Sequence, residues 1–372
     1  QLTPDQFFAQ LYAHTDINKD PHSGGRQMNC HFGTRLLNEN GDWKTQTDMM
    51  NSVSDISCVS GQMPRIVGLA YASKLYRNNK NLSDMENFSI NGNEVVFGTI
   101  GDASTSEGHF WEAINACGVL QVPLIMSIWD DGYGISVPSE YHTTRNDLSK
   151  ALSGFQRSSK KENGYEIFTV HAWDYINLLK TYQKAEKLAR EDHVPCIIHV
   201  KDVTQPQGHT TSGSHERYKS KERLNWEKDF CCIKRMREWI IENNFASNSE
   251  IDIIEKNAED IAKKSRDRSW KSYRDDIKED FDDAIAVSTR VAQNSPKNKK
   301  EIINVRKNLS TTIHPLKSDI LRSLKYVRRI IRSENNLAKN YLYNLISEKE
   351  SKYEKEYSSH LYSESDKSAI NI

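Results

Sequence analysis

Apolar and polar residues alternate in blocks along the first 200 residues of the chain. Two short apolar runs, VVFGTI and VPLIMSIW, flank the helix-like stretch EGHFWEAINACGVL. The same order returns in YEIFTVHAW, DYINLLKTYQKAEKLARE and PCIIHVKDV. Short apolar runs favour strands, whereas longer periodic segments favour helices. The pattern predicts an α/β fold, a mostly parallel sheet with helices on both faces and right-handed connections.

Further helices are predicted before this region. QLTPDQFFAQLYA has an amphipathic helical pattern, with Thr3 as its N-cap and Pro4 in its first turn. Another helical pattern begins at Gln62 and ends at Asn78 and Asn79. Residues 20–61 are rich in Gly, Asn, Ser and Asp, which indicates a long ordered loop that lines a site.

After about residue 220 the strand signals stop, and the chain becomes charged and helical. We expect three regions: an α/β domain over residues 1–220, its helical end over 221–275, and a charged helical extension or linker over 276–372. The last region, with its Ser-rich tail SSHLYSESDKSAINI, is a poor candidate for a core. Its composition is typical of a linker or a partner-facing segment.

Charge and cysteine usage exclude several functional classes. The chain has 51 basic and 51 acidic side chains, so bulk attraction to nucleic acid or to an anionic membrane is not indicated. No run reaches the roughly 20 apolar residues of a membrane-spanning helix. Six scattered cysteines form no CxxC pair, which favours reduced thiols in the cytoplasm. The chain lacks an initiator Met, so a fragment or a processed product is expected.

Acidic residues follow two apolar runs that are one helix apart. Parallel strands end at the same carboxyl edge, where open α/β sheets bind ligands, so Asp102 and Asp131 are expected to meet there. Neighbouring strands lie about 4.8 Å apart, which allows one carboxylate from each to share a Mg²⁺ ion. Gly132 and Gly134 permit a tight turn that offers the carbonyl of Tyr133 as a further ligand.

A phosphate group would complete such a site. Gly101, Ala103 and Ser104 lead into a helix start, where N–H groups and the helix dipole attract anions. The alternative is structural, because acidic residues after strands commonly cap helices and close turns. The residues alone leave both interpretations open.

The two segments GDASTSEG and DDGYGISVP resemble the thiamine-diphosphate motif in the form found in 2-oxo acid dehydrogenase E1 alpha subunits. GGRQMNCHFG, SCVSGQMPRIVGLAYASK and QGHTTSGSHERYKS resemble other segments of that family and occur in the same order. The resemblance covers roughly residues 1–275. It is closest to bacterial E1 enzymes of the branched-chain type, in which the alpha and beta parts are fused.

The resemblance implies specific roles for residues of this chain. Mg²⁺ would be held by the side chains of Asp102 and Asp131 and the carbonyl of Tyr133. His209 would lie beside the diphosphate and assist reductive acylation of the lipoyl group. The implied cofactor contacts are Ser57, Val59, Gly101, Asp102, Ala103, Ser104, Asp131 and His209.

The resemblance also implies an oxidoreductase that decarboxylates a 2-oxo acid, with branched-chain acids favoured and pyruvate second. The acyl group would pass to the lipoyl group of a lipoylated E2. A beta part, fused or separate, would supply the catalytic acid, so a hetero-oligomer or a dimer of fused chains is expected.

The sequence departs from the family pattern at several positions. Ala103 stands where Gly is usual, Asp130 and Asp131 replace a pair of Asn, and Gly61 replaces a common Thr. The Tyr-Arg pair that grips the diphosphate in the family precedes position 1. The competing interpretation is therefore a non-catalytic phosphate- or nucleotide-binding module or an inactive fragment, although the chain lacks a GxGxxG signature.

Overall fold

The computed structural model describes residues 2–27, 30–38, 40–53, 56–208, 214–359, 363, 365–366 and 368–371. The chain divides into two compact units, one formed by Gln1–Asp55 with Ile254–Ile372 and the other by Ile56–Ile253.

Helices and strands of the described residues are numbered in chain order. The helices are α1 Pro4–Leu11, α2 Met63–Asn78, α3 Gly108–Leu120, α4 Leu148–Ala151, α5 Tyr175–Asp192, α6 Lys221–Asp229, α7 Cys232–Glu242, α8 Asn248–Gln293, α9 Lys299–Thr311, α10 Lys317–Ile330 and α11 Lys339–Ser358. The strands are β1 Val96–Gly101, β2 Leu124–Trp129, β3 Tyr133–Gly134, β4 Val137–Pro138, β5 Glu166–His171 and β6 Cys196–Lys201.

A parallel sheet lies at the centre of the unit Ile56–Ile253. Its strand order is β1-β2-β6-β5, and every neighbouring pair is parallel. Side chains of a strand alternate between the two faces. Met126 and Ile128 of β2 accordingly pack with Ile114 of α3, while Ile125 packs on the opposite face with Ala185 of α5. The predicted parallel sheet with helices on both faces is confirmed.

The other unit contains a helical core of its own. The buried positions of α10 and the residue after it recur at helical spacing, at Ile320, Leu324, Val327 and Ile331. Apolar residues of α8, α9 and α11 join them in one buried cluster. Charged residues on the other faces of these helices dominate the composition of the region. For this reason the composition alone does not reveal the apolar stripe.

Local signals located most element boundaries. Thr3 caps α1, since its side chain accepts the N–H of Gln6 while the Gln6 side chain accepts the N–H of Thr3. Two short features differ from the simple pattern: a 3-10 turn, Ala103–Ser106, precedes α3, and β3 pairs with β4 in a small antiparallel hairpin. Within the described part of the chain, no helix has the length and apolarity needed to cross a membrane.

Candidate functional site

The ends of β1 and β2 bring acidic residues to one edge of the sheet. Gly101 pairs with Trp129 at the last position of the two strands. The next N–H along β1, that of Asp102, donates to the carbonyl of Trp129 at 3.2 Å. The N–H of Asp130 donates to the carbonyl of Val200 on β6 at 2.9 Å. The register therefore delivers both acidic segments to the carboxyl edge.

A cavity of about 630 Å³ lies at this edge. Ser57 is exposed and is not among the described residues that line the cavity, and His209 lies outside the described residues. The cavity brings together seven of the residues singled out in the sequence: Val59, Gly101, Asp102, Ala103, Ser104, Asp131 and Tyr133.

Asp102 is buried with one carboxylate oxygen unsatisfied. Asp102 directly follows strand β1 and is the N-cap residue of the 3-10 turn, and it is only 3% exposed. Oδ2 has no hydrogen-bond partner among the described residues. Burial, reinforced by the negative charges of Asp130 and Asp131, raises the pKa of Asp102 to about 8. A cation bound beside this carboxyl group would favour its ionised form.

Asp131 is also held away from bulk water, but it has cationic neighbours. Burial raises the pKa of Asp131, and the N–H of Tyr133 and the charge of Lys219 partly oppose that rise. The Tyr133 N–H donates to Asp131 Oδ1 at 3.1 Å. Nη2 of Arg223 donates to the backbone carbonyl of Asp131 at 2.9 Å. These contacts fix the loop after β2 against α6.

The third acidic residue, Asp130, forms a hydrogen bond with the buried His199. His199 of β6 is 0% exposed, and its Nε2 lies 2.8 Å from Asp130 Oδ2. The other ring nitrogen lies 2.6 Å from the hydroxyl of Ser149. Burial by itself would raise the pKa of Asp130, but the hydrogen bond and charge of His199 hold it below its ordinary value. The negative charge of Asp130 is thus balanced by His199 within the protein, and Asp130 is not available to bind a ligand.

A pair of basic residues surrounds the ring of Tyr133. Nζ of Lys219 lies 5.0 Å from the ring centroid, and Cζ of Arg223 lies 5.7 Å from it. Lys219 is buried and forms an ion pair of 2.7 Å with Glu227, which also pairs with Arg223 at 2.9 Å. Cation–π contact and ion pairing therefore position Tyr133 at the cavity wall.

The 3-10 turn and the β3–β4 hairpin approach each other closely. A Cβ added at Gly134 would lie 2.9 Å from Cβ of Ala103 and 3.5 Å from Cδ2 of His142. Nε2 of His142 is 3.9 Å from Asp102 Oδ2, which is too long for a hydrogen bond. Gly134 is therefore required for the close packing of the two segments that line the cavity.

The oxygen atoms of Asp102, Asp131 and the Tyr133 carbonyl fit a hard divalent cation that binds only a few protein atoms. No cluster of three or more His, Cys, Asp or Glu side chains with metal-binding geometry occurs among the described residues. Mg²⁺ is commonly bound by one or two carboxylates, with phosphate oxygens and water completing the shell. The unsatisfied oxygen of Asp102, Asp131 nearby and the carbonyl of Tyr133 match that pattern.

Sequence reasoning missed His199, Lys219 and Arg223. His199 is the only histidine, and the only strongly polar residue, within the apolar run PCIIHV, and that position in a buried strand was an available signal. A buried ionisable group needs a partner, and the register of β6 beside β2 points it to Asp130. Lys219 and Arg223 lie almost 90 residues after Asp131, and no local pattern connects them with it.

Comparison with known proteins was made by family and by individual relatives. Residues 1–276 match the family model described as dehydrogenase E1 component. The chain is 28% identical over 282 residues to the mitochondrial 2-oxoisovalerate dehydrogenase subunit alpha of Dictyostelium discoideum, covering 75% of this chain and 55% of that protein. It is 27% identical over 208 residues to the pyruvate dehydrogenase E1 component subunit alpha of Rickettsia bellii, covering 56% of each.

The human mitochondrial 2-oxoisovalerate dehydrogenase subunit alpha is 26% identical over 238 residues, which cover 63% of this chain and 44% of the human protein. The chain thus spans about half the length of the curated relatives it matches.

Proposed function

Because the chain belongs to the dehydrogenase E1 component family, we propose that it is the E1 alpha part of a thiamine-diphosphate-dependent 2-oxo acid dehydrogenase. The observation that carries this proposal is the cavity at the carboxyl edge, where Asp102 and Asp131 accompany Gly101, Ala103 and Ser104. These are the segments whose sequence resembles the thiamine-diphosphate motif.

Mg²⁺ is proposed to bind the side chains of Asp102 and Asp131 and the carbonyl of Tyr133. Three features support this set: Asp102 Oδ2 is buried with no hydrogen-bond partner among the described residues, both carboxyl groups have raised pKa values, and all three are hard oxygen donors. A divalent cation would favour the ionised form of both carboxyl groups. The unsatisfied oxygen then gains the partner that buried carboxylates require.

The remaining residues of the cavity are proposed to hold the diphosphate. The Ala103–Ser106 segment starts a turn at the carboxyl end of β1, and the N–H groups at such a helix start suit phosphate oxygens. Val59 and Trp129 line the same cavity and offer apolar surface to the organic part of the cofactor. Lys219 and Arg223 balance the negative charge around Asp131.

Thiamine diphosphate, when bound, supplies the nucleophilic carbon and the electron sink for decarboxylation of a 2-oxo acid. The residues of this chain anchor it through the cation and limit access of water to its charged end. His209 is proposed to move a proton during acyl transfer to the lipoyl group of E2. A beta part is proposed to contribute the acid that this chain does not provide. The six cysteines, all free, support a cytoplasmic location.

Branched-chain 2-oxo acids are proposed as substrates, with pyruvate second. Proteins named for 2-oxoisovalerate and for pyruvate match this chain at nearly the same identity, 28% and 27%. The pocket for the side chain is expected to be shared with the beta part, so this chain alone does not define its size.

Reconstitution with a beta part tests the proposal. We expect decarboxylation of 3-methyl-2-oxobutanoate at a higher kcat/KM than pyruvate, and activity that requires the beta part, thiamine diphosphate and Mg²⁺. His209→Ala should reduce acylation of the lipoyl group more than decarboxylation itself. Turnover of neither acid by the reconstituted protein would contradict the assignment, while a preference for pyruvate would reverse only the substrate order.

A further inference from the structure

A second cavity, of about 530 Å³, is lined by Thr105 and Ser106 at the end of the Ala103–Ser106 turn. Ser106 belongs to this turn and lines the second cavity, whereas Ala103 and Ser104 line the first. The hydroxyl of Ser106 donates to the carbonyl of His142 at 2.9 Å. The volume is within the range of small-molecule sites, about 300–1,000 Å³.

The lining of this cavity is basic and rich in hydroxyl groups. Arg145, Lys150 and His142 contribute to it together with Ser106 and Thr143, and no Asp or Glu is among the described residues that line it. Lys150 lies 3.6 Å from Asp147, but the same Asp147 oxygen accepts Lys201 Nζ at 2.9 Å. Arg145 and Lys150 thus bring two cationic side chains to a cavity that no acidic side chain of the described residues lines.

Arg145 is presented by an unusual backbone. Its φ is +69° and its ψ is 0°, a left-handed conformation that a residue with a Cβ rarely adopts. Residues held in such conformations cluster at ligand sites, where the surrounding fold maintains them. The guanidinium is a planar donor suited to bidentate contact with a phosphate group.

One wall of the cavity is apolar. Trp111 of α3 lines it together with Leu148 and Ala151 of α4, and Trp111 packs against Phe155 with ring centroids 6.4 Å apart. A ligand for this cavity would therefore carry an anionic end for the basic residues and a small apolar or aromatic part for the indole.

We propose that this cavity binds a phosphate monoester of a small organic molecule, at a site distinct from the candidate cofactor cavity. The phosphoryl group contacts Arg145 and Lys150. The organic part packs on Trp111 and Leu148. This inference is independent of the proposed dehydrogenase function, since Arg145, Lys150 and Trp111 do not line the candidate cofactor cavity.

Phenyl phosphate is a suitable probe, because it combines a phosphate monoester with an aromatic ring. Calorimetric titration of the full chain in phosphate-free buffer should show saturable binding. The double variant R145Q/K150Q should weaken that binding by about tenfold or more, since it removes two charge-assisted contacts. The matched control K160Q/K161Q removes two exposed lysines that do not line the cavity, and it should change the affinity less than about twofold.

Asp131→Ala separates this site from the candidate cofactor site. That variant should lose binding of thiamine diphosphate with Mg²⁺, yet retain phenyl phosphate. Equal affinity for phenyl phosphate in R145Q/K150Q and in the K160Q/K161Q control would overturn the inference. Absence of saturable binding to the unmodified chain would overturn it as well, and neither result would bear on the proposed cofactor site.

Discussion

Nε2 of His199 lies 2.8 Å from Oδ2 of Asp130, in a pair whose histidine is fully buried. This pair explains how three acidic residues coexist at one edge of a sheet. Asp130 is bound to His199 and accepts the N–H of Gly132 through its other oxygen at 2.9 Å. Asp102 and Asp131 are then left as the carboxyl groups that face the cavity.

Removing the histidine should leave a buried negative charge beside two other carboxyl groups. His199→Gln is expected to lower the free energy of unfolding by about 3 kcal/mol, because breaking a buried ion pair leaves one partner uncompensated. Adding Asp130→Asn to that variant should restore most of the loss, since an amide pair carries no charge. Urea unfolding of the two single variants and the double variant measures this coupling. Additive losses would show that the two residues do not interact.

Stability should depend on the ionisation of Asp102. Its pKa is raised from 3.8 to about 8, so the unfolded chain ionises at lower pH than the folded chain. The protein without cation or cofactor should therefore lose stability as the pH rises from about 4 to about 8. Asp102→Asn should raise the free energy of unfolding at pH 8, on the order of 5 kcal/mol, and leave it nearly unchanged at pH 4.

Thermal unfolding between pH 4 and pH 8 checks this expectation. Glu107→Gln is the matched control, because Glu107 is an exposed acidic residue close by in sequence. An equal pH dependence in the Asp102→Asn variant and in the unmodified chain would show that Asp102 is not the responsible group.

Packing between the two cavity-lining segments should be intolerant of one extra methyl group. Gly134→Ala would place a Cβ 2.9 Å from that of Ala103, so the hairpin must shift away from the 3-10 turn. We expect affinity for thiamine diphosphate with Mg²⁺ to fall by about tenfold, as misplacement of positioning groups commonly does. Ala103→Gly removes the opposing methyl group and should rescue the Gly134→Ala variant. Lack of rescue would indicate that the steric contact is not the cause.

The sequence was most informative where local pattern and tertiary structure agree. The apolar runs around Val96–Gly101 and Leu124–Trp129 read directly as strands because Leu124–Trp129 is buried at five of its six positions and Val96–Gly101 pairs with it at the edge of the parallel sheet. The position of Asp102 at a strand end then placed it at the carboxyl edge. The sequence pattern did not predict the helical core beyond residue 276, because charged residues separate its apolar positions and dominate the average composition of the region.

Long-range contacts account for what sequence pattern did not reveal at the site. Lys219 and Arg223 reach Asp131 and Tyr133 through the packing of α6, which no local signal encodes. His142 reaches the neighbourhood of Asp102 only because the chain turns back after β4. Such contacts depend on the three-dimensional path of the chain rather than on spacing along it.

The central claim is that Asp102 and Asp131 together hold a divalent cation that binds a diphosphate. Titration with thiamine diphosphate and Mg²⁺, followed by tryptophan fluorescence, tests it most directly, since Trp129 lines the cavity. We expect saturable quenching that requires Mg²⁺, disappears in Asp102→Ala and in Asp131→Ala, and persists in Glu107→Ala. Quenching that is unchanged in both aspartate variants, or that ATP reproduces equally, would contradict the account.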